Sequence, residues 1–550
     1  MSERVNIAAY LPMQAARQPY TPALYFPAGR SPQGQVLYSH YTYRQLDRRS
    51  DAIARGLVDV GIGRGTRAVL MVKPSLELFA LVFAMFKVGA VLVMVDPGLG
   101  LKNLKACLAR TEPEAFIGIP AAHAARVAFG WGRATLKTLV TVGPRLLWGG
   151  HRLDAIARED EAPFEMADTR ADEIAAILYT SGSTGPPKGA VYTHGNFAAQ
   201  VEALREMFQI QPGDIDLPTF PLFALFDPAL GMTTVIPDMD ATRPAQVDPR
   251  KIIEAIEDFG VTTMFGSPAL LNTVGRYGAA HKIKLPTLKR VISAGAPLAA
   301  PVMERFAAML PEGALIFPPY GATESLPVAV IDSATILGET WEKTRAGAGV
   351  CVGKPAAGIE VAVIPISDGP IEAWDESLRV APFEIGEFAV KGPQVTRAYY
   401  NDPVNTALAK IPEGKEIWHR MGDLGYLDDE GRLWMCGRKS QRVITPDKVW
   451  FTVPCEAIFN EHPDVFRTAL VGAKVGGQER AVICVEVEAE SRGKDREEIK
   501  RGLLELGARF ERTRGIDHVL FYPKGFPVDI RHNAKIRHEE LTVWARKEIS

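Results

Sequence analysis

Tyr179-Thr-Ser-Gly-Ser-Thr-Gly-Pro-Pro-Lys-Gly189 decides how the rest of this chain is read. It follows Ile174-Ala-Ala-Ile-Leu-Tyr179, an apolar run long enough for one buried strand. From Thr180 to Gly189 every residue except Lys188 is Ser, Thr, Gly or Pro, so the stretch adds nothing to a core. Glycines let backbone N–H groups converge on an anion, hydroxyls add donors, and a lysine adds charge. The pattern predicts a loop that wraps nucleotide phosphates, the alternative being a plain surface loop.

At 550 residues the chain exceeds one hydrophobic core, and two or more domains are expected. Apolar residues at 47% and charged residues at 23% match a soluble globular protein. A net charge of -2 leaves no overall electrostatic footprint for nucleic acid or anionic lipid. The five cysteines (107, 351, 436, 455 and 484) lack metal-ligand spacing and read as reduced thiols of a cytoplasmic protein. No secretory signal is visible at the N-terminus. Leu76 to Val95 is largely apolar, but Glu77, Lys87 and Gly89 interrupt it, so a buried helix running into a buried strand is expected rather than a membrane span.

Around the phosphate loop, apolar runs alternate with helical periodicity. Residues 42–60 form an amphipathic helix with a Thr42/Gln45 capping box. Gly61 to Gly65 (GIGRG) follows a helix and precedes a strand, the reverse of a dinucleotide fingerprint, and is a turn. Helices near 75–88, 101–109, 195–209 and 249–258 alternate with strands near 90–95, 115–119, 262–265 and 290–293. That rhythm predicts an α/β domain with a largely parallel sheet. Small-residue loops at Ala294–Leu298 and Pro318–Ser325 leave strand ends, where open α/β sheets bind ligands. Gly349–Pro355 fails as a phosphate loop, because Pro355 stands where Ser or Thr must ligate a metal. Phe220, Phe223 and Phe226 either pack a core or wall an apolar substrate cavity. From about 358 a strand-rich subdomain is expected, including a hairpin that turns at Asp428–Gly431. A boundary near Ser440 separates residues 1–439 from a compact α+β domain of residues 440–550.

The ordered set TSGSTGPPKG, SAGAPL, YGATE, GDLG, GRK and Asn533-Ala-Lys535 resembles the adenylate-forming superfamily of acyl-CoA synthetases, peptide-synthetase adenylation domains and firefly luciferase. The resemblance covers nearly the whole chain. It implies a large multi-sheet N-terminal α/β domain, a small C-terminal domain that rotates between two half-reactions, and use of ATP and Mg²⁺ to activate a carboxylate. By the same resemblance, Thr180, Ser181, Gly182, Ser183, Thr184, Gly185 and Lys188 hold the β- and γ-phosphates. Gly295, Ala296 and Pro297 line the adenine, with Tyr320 and Gly321 beside it. Thr323 contacts the α-phosphate and Glu324 holds Mg²⁺. Asp423 accepts from the ribose hydroxyls, Arg438 lies by the ribose, Ser440 is the hinge, and Lys535 bridges the substrate carboxylate and α-phosphate.

Departures from that pattern bear on the second half-reaction. Thioester-forming members carry a histidine or aromatic residue at the position of Ala224 and a glycine pair at the position of Pro446-Asp447. Proline offers no N–H, and neither residue permits the close approach of a pantetheine arm that glycine does. Ala534 also replaces the glycine usually found before the late lysine. With the wording PLFALFDPALG and FPVDIRHNAKI, the chain resembles the β-lactone synthetase family of bacterial long-chain olefin biosynthesis. That implies a long-chain 2-alkyl-3-hydroxy fatty acid substrate, walled by Phe220, Phe223 and Phe226, and association with other enzymes of the olefin pathway. A fatty acyl-CoA or acyl-carrier-protein ligase is the alternative.

Overall fold

The structure, a computed structural model, describes residues 4–95, 99–180, 187–221, 223–528 and 536–549. Of the expected site residues, Ser181, Gly182, Ser183, Thr184, Gly185 and Lys535 lie outside those described.

Two seven-stranded sheets form the main body. The first runs His151–Arg152, Thr138–Thr141, Ala115–Gly118, Arg67–Met71, Val91–Val95, Ile174–Thr180, Lys188–Thr193, and only its last pair is antiparallel. The second runs Leu315–Phe317, Arg290–Ile292, Thr263–Phe265, Ile215–Pro218, Thr233–Val235, Pro22–Arg30, Val36–Thr42, again with one antiparallel pair at its end. Parallel sheets need both faces covered. The helices Tyr43–Asp59, Leu76–Lys87 and His194–Phe208 contribute Leu46, Ile53, Phe79, Phe83, Phe197 and Val201 to one shared core.

The capping box at the start of Tyr43–Asp59 is formed as expected: Gln45 N donates to Thr42 Oγ1 (3.3 Å) and Thr42 N donates to Gln45 Oε1 (2.8 Å). The apolar stretch from Leu76 is a buried helix running into the buried strand Val91–Val95. Lys87, at that helix's end, is buried but donates to Asp47 Oδ1 (2.6 Å) and Asp51 Oδ1 (2.5 Å), which removes the penalty of an unpaired internal charge. Among the described residues no helix is long and apolar enough to cross a membrane. All five cysteines are free and buried.

The third sheet is antiparallel and eight-stranded. It begins at Tyr320–Ala322, not near 358, and runs through Ser325–Val330, Val350–Pro355, Leu433–Arg438, Glu416–Leu427, Gly386–Lys391 and Glu360–Ile364, with Lys410–Glu413 beside Glu416–Leu427. Pro318–Ser325 is therefore only partly a loop: Tyr320–Ala322 pairs with Ser325–Val330 in a tight hairpin. The hairpin expected at Asp428–Gly431 is present. Its turn is held by Asp428 Oδ1, which accepts from Glu430 N (3.1 Å) and Arg432 N (2.8 Å).

Beyond Ser440, a three-stranded sheet (Val465–Val475, Gln478–Val487, His518–Phe521) packs against the helices Thr452–Phe459, Arg496–Ala508 and His538–Ile549. Thr452–Phe459 also packs on the main body, where Arg345 Nη2 pairs with the Glu461 carboxylate that follows this helix.

Candidate active site

The base of the expected phosphate loop is a β-hairpin neck. Tyr179 pairs with Gly189 and Thr180 with Lys188. A Cβ at position 189 would lie 2.8 Å from the Tyr179 ring, so glycine is required for the two strands to close there. Tyr179 is itself tied down by Thr111, whose hydroxyl donates to Tyr179 Oη (2.8 Å).

The ends of Arg290–Ile292 and Leu315–Phe317 lie side by side, with Ser293 N donating to Phe317 O (2.9 Å). This brings the loop with Gly295, Ala296 and Pro297 beside the hairpin with Tyr320, Gly321, Thr323 and Glu324. Gly295 sits at φ +96°, a conformation that side chains with a Cβ rarely adopt.

Tyr320 Oη donates to Asp423 Oδ2 (2.6 Å), and Arg438 Nη1 lies 3.0 Å from Asp423 Oδ1. Register explains the second contact, since Asp423 and Arg438 face each other across the hairpin. Asp423 is 1% exposed. Burial, then the neighbouring carboxylate, pushes the Tyr320 phenol well above its ordinary range, and the same carboxylate raises Arg438. Three residues chosen from three separate motifs thus form one buried polar unit.

A second unit surrounds Glu324. Tyr399 Oη donates to Glu324 Oε1 (2.7 Å), while Thr396 donates to the Glu324 carbonyl through both its N–H (2.8 Å) and its hydroxyl (3.0 Å). Lys410 Nζ donates to the Thr396 carbonyl and to Thr396 Oγ1 (3.3 Å). Burial pushes the Lys410 ammonium down to about 7, against the nearby Glu324 carboxylate, which favours its charge. Lys188 Nζ sits 5.3 Å from the centre of the Tyr399 ring, within cation–π reach. Tyr192 Oη donates to the Thr323 carbonyl. Tyr399, Lys410 and Tyr192 were not singled out in the sequence. No motif flags them, and Tyr399 meets Glu324 across 75 residues.

Phe223–Phe226 is a short 3-10 turn leading into the helix Asp227–Leu230. Phe220, Phe223 and Phe226 are half-buried. Phe223 packs on Phe265 (ring centres 4.3 Å apart) and Phe226 on Phe197 (6.2 Å), while Ala224 is fully buried. Ser440 is exposed on the turn Lys439–Gln441, beside two anchors: Lys439 Nζ on Glu387 Oε1 (2.9 Å) and Arg442 Nη2 on Asp368 Oδ2 (2.6 Å). The segment that should carry Lys535 is closed at its base, where Val528 bridges Ile536 and Arg537 N donates to Pro527 O (2.9 Å).

Residues 11–400 match the family described as AMP-binding enzyme. The chain belongs to the AMP-binding enzyme family. It is 49% identical to the olefin β-lactone synthetase of Xanthomonas campestris pv. campestris, over 100% of this chain and 99% of that protein. It is 48% identical to the olefin β-lactone synthetase of Stenotrophomonas maltophilia with the same coverage. Among solved structures, the amide bond synthetase McbA from Marinactinospora thermotolerans shares the fold, with a TM-score of 0.79, 22% identity, and 98% and 99% of the two chains covered.

Proposed function

We propose that this chain is an ATP-dependent β-lactone synthetase acting on a long-chain 2-alkyl-3-hydroxy fatty acid. End-to-end identity of nearly one half with two olefin β-lactone synthetases carries the reading. A carboxylate is a poor electrophile, because its charge is delocalised into the carbonyl. In the first step a substrate carboxylate oxygen attacks the α-phosphorus of ATP, and pyrophosphate leaves. In the second, the substrate's own 3-hydroxyl attacks the acyl carbon, the bond to AMP breaks, and the hydroxyl proton is released. Ring closure is intramolecular and needs only a pocket that presses hydroxyl and carbonyl together.

In this reading Asp423 accepts from the ribose, and Tyr320 and Arg438 hold its carboxylate in place. Gly295, Ala296 and Pro297 line the adenine beside Tyr320 and Gly321. Thr180 to Lys188 take the β- and γ-phosphates and Thr323 the α-phosphate. Lys535 offsets charge moving between carboxylate and phosphate. Phe220, Phe223 and Phe226 wall the alkyl chain. Residues 440–550 rotate about Ser440 between the two steps, and association with other enzymes of the olefin pathway belongs to the same reading.

The residues present also fit Mg²⁺. Among the described residues no group of three or more His, Cys, Asp or Glu could hold a metal by itself, and Mg²⁺ on a nucleotide is held by one or two carboxylates plus phosphates. Glu324, oriented through one oxygen by Tyr399, suits that role. Bound there, the ion offsets the negative charge of the triphosphate.

A thioester-forming ligase is less well supported. Pro446 and Asp447 form the exposed tip of a turn closed by Thr445 N on Lys448 O (3.0 Å), with a proline where such ligases present glycine. Pyrophosphate release should be compared for a 2-alkyl-3-hydroxy acid and its 3-deoxy analogue. Both should be adenylated, but only the hydroxy acid should turn over repeatedly without a thiol. Equal, thiol-dependent turnover of both would overturn the reading.

A further inference from the structure

The net charge of -2 conceals a strongly uneven distribution. From Ala115 to Leu153 the chain carries Arg126, Arg133, Lys137, Arg145 and Arg152 and no Asp or Glu. Within that segment stands the most exposed apolar residue among those described. Leu147 is 104% exposed and its neighbour Leu146 is 62% exposed.

The turn that presents them is clamped. The Trp148 ring stacks on His123 (centres 5.3 Å apart, planes 6° apart), and its Nε1 donates to Thr141 Oγ1 (2.9 Å). Arg145 Nη1 reaches back to the Gly150 carbonyl. One turn along the helix Pro120–Phe129 from His123, Val127 is 60% exposed, and Phe129 at the helix end is 42% exposed. Lys137 is paired with Glu114 (3.2 Å) and Arg152 with Asp154. Among the described residues, neither Arg133 nor Arg145 has a carboxylate partner.

A water-facing loop has no reason to hold two adjacent leucines outward on a fixed turn. Buried beneath other protein, they would be ordinary. We infer that the Leu146-Leu147 turn is an anionic-membrane docking tip, in which the two leucines enter the acyl boundary while the adjacent Arg145 meets lipid phosphates. A narrow apolar projection next to Arg145, a cation with no carboxylate partner among the described residues, suits a bilayer, which yields to a point insertion and supplies negative charge over its whole surface. A protein partner would call for a broader complementary face. The inference gains a purpose from the proposed function, because an alkyl-chain substrate partitions into membranes, but the binding itself does not depend on that function.

The test is co-sedimentation of the full chain with large vesicles of phosphatidylglycerol and phosphatidylcholine, or of phosphatidylcholine alone, at low and high salt. Wild type should pellet with the anionic vesicles, less so in high salt and little with neutral ones. Leu146→Ser/Leu147→Ser should lower the partition coefficient roughly tenfold or more, from the lost burial of two leucines. Arg145→Glu should lower it at low salt only. Both variants alter exposed side chains, so melting temperature and pyrophosphate release in detergent-dispersed substrate should match wild type. Wild type that stays in the supernatant overturns the inference, as does binding unchanged by the leucine substitutions. Loss of pyrophosphate release in wild type would instead strike at the proposed function and leave vesicle binding as a separate result.

Discussion

Tyr399 Oη donates to Glu324 Oε1 across 2.7 Å, joining the segment that follows strand Gly386–Lys391 to the turn of the Tyr320–Val330 hairpin. The centre of the same ring lies 5.3 and 5.9 Å from the ammonium groups of Lys188 and Lys410. This contact fixes which way the carboxylate points. Tyr399→Phe keeps the ring and removes only the donor. A hydrogen bond to a charged group contributes about 1.5–3 kcal/mol, so kcat/KM for pyrophosphate release should fall roughly tenfold to a hundredfold. The Mg²⁺ concentration at half-maximal nucleotide binding should rise while melting temperature changes little. An unchanged Mg²⁺ dependence would remove Tyr399 from this role.

Tyr320 and Arg438 are predicted to act on nucleotide affinity through Asp423. Tyr320→Phe leaves a nearly fully buried carboxylate with one fewer donor, and ATP affinity measured by calorimetry should fall about tenfold, on the same hydrogen-bond scale. Asp423→Ala should weaken ATP binding more than Tyr320→Phe does. The reverse order would contradict the assignment.

Asp216 and Asp227 carry a pH dependence. Both are buried, Asp216 and Asp227 standing on either side of the Phe220–Phe226 segment with interacting carboxyls, and Thr234 Oγ1 donates to Asp227 Oδ2 (2.9 Å). Burial pushes Asp227 up to about 7 and, with the neighbouring Asp227 carboxylate, raises Asp216 well above its ordinary range; Arg290 only partly opposes this. The folded state therefore holds protons that the unfolded chain releases near pH 4. Stability contributed by the pair is present in acid and declines as pH rises through about 7, at up to about 1.4 kcal/mol per pH unit per proton. Asp216→Asn should flatten the fall in melting temperature between pH 6 and 8. An equally steep fall in the variant would show that the pair is not its source.

Much of this site was legible in the sequence because it is built from short local motifs. Asp423 and Arg438 lie in neighbouring motifs on one hairpin, and register alone brings them together. The alternation of apolar runs likewise predicted a largely parallel sheet, and the chain builds two of them, each with one antiparallel pair at its end. Other features were less legible. Tyr320–Val330 uses small residues without clear two-residue periodicity, so the third sheet was expected to begin near 358. Pro22–Arg30 is a strand despite Pro22, Pro27 and Gly29: Pro22 opens it and register shifts follow at Pro22/Leu24 and Pro27/Gly29, positions where a strand tolerates proline. Tyr399, Thr396 and Lys410 reach the site through tertiary packing, which no local pattern encodes.

Lys535→Ala should cripple adenylation while leaving ATP affinity largely intact, because the ammonium is assigned to charge that moves between carboxylate and α-phosphate. Equilibrium ATP binding and single-turnover pyrophosphate release separate the two. A fully active variant would refute the assignment.

The central claim is ring closure without a second substrate, and isotope tracing tests it most directly. The protein would be incubated with ATP, Mg²⁺ and a long-chain 2-alkyl-3-hydroxy acid labelled with ¹⁸O in both carboxylate oxygens, without any thiol. One label should appear in AMP, and the organic product should be the acid less one water, with a single label retained. A requirement for coenzyme A, with the acyl chain recovered as a thioester, would contradict the account.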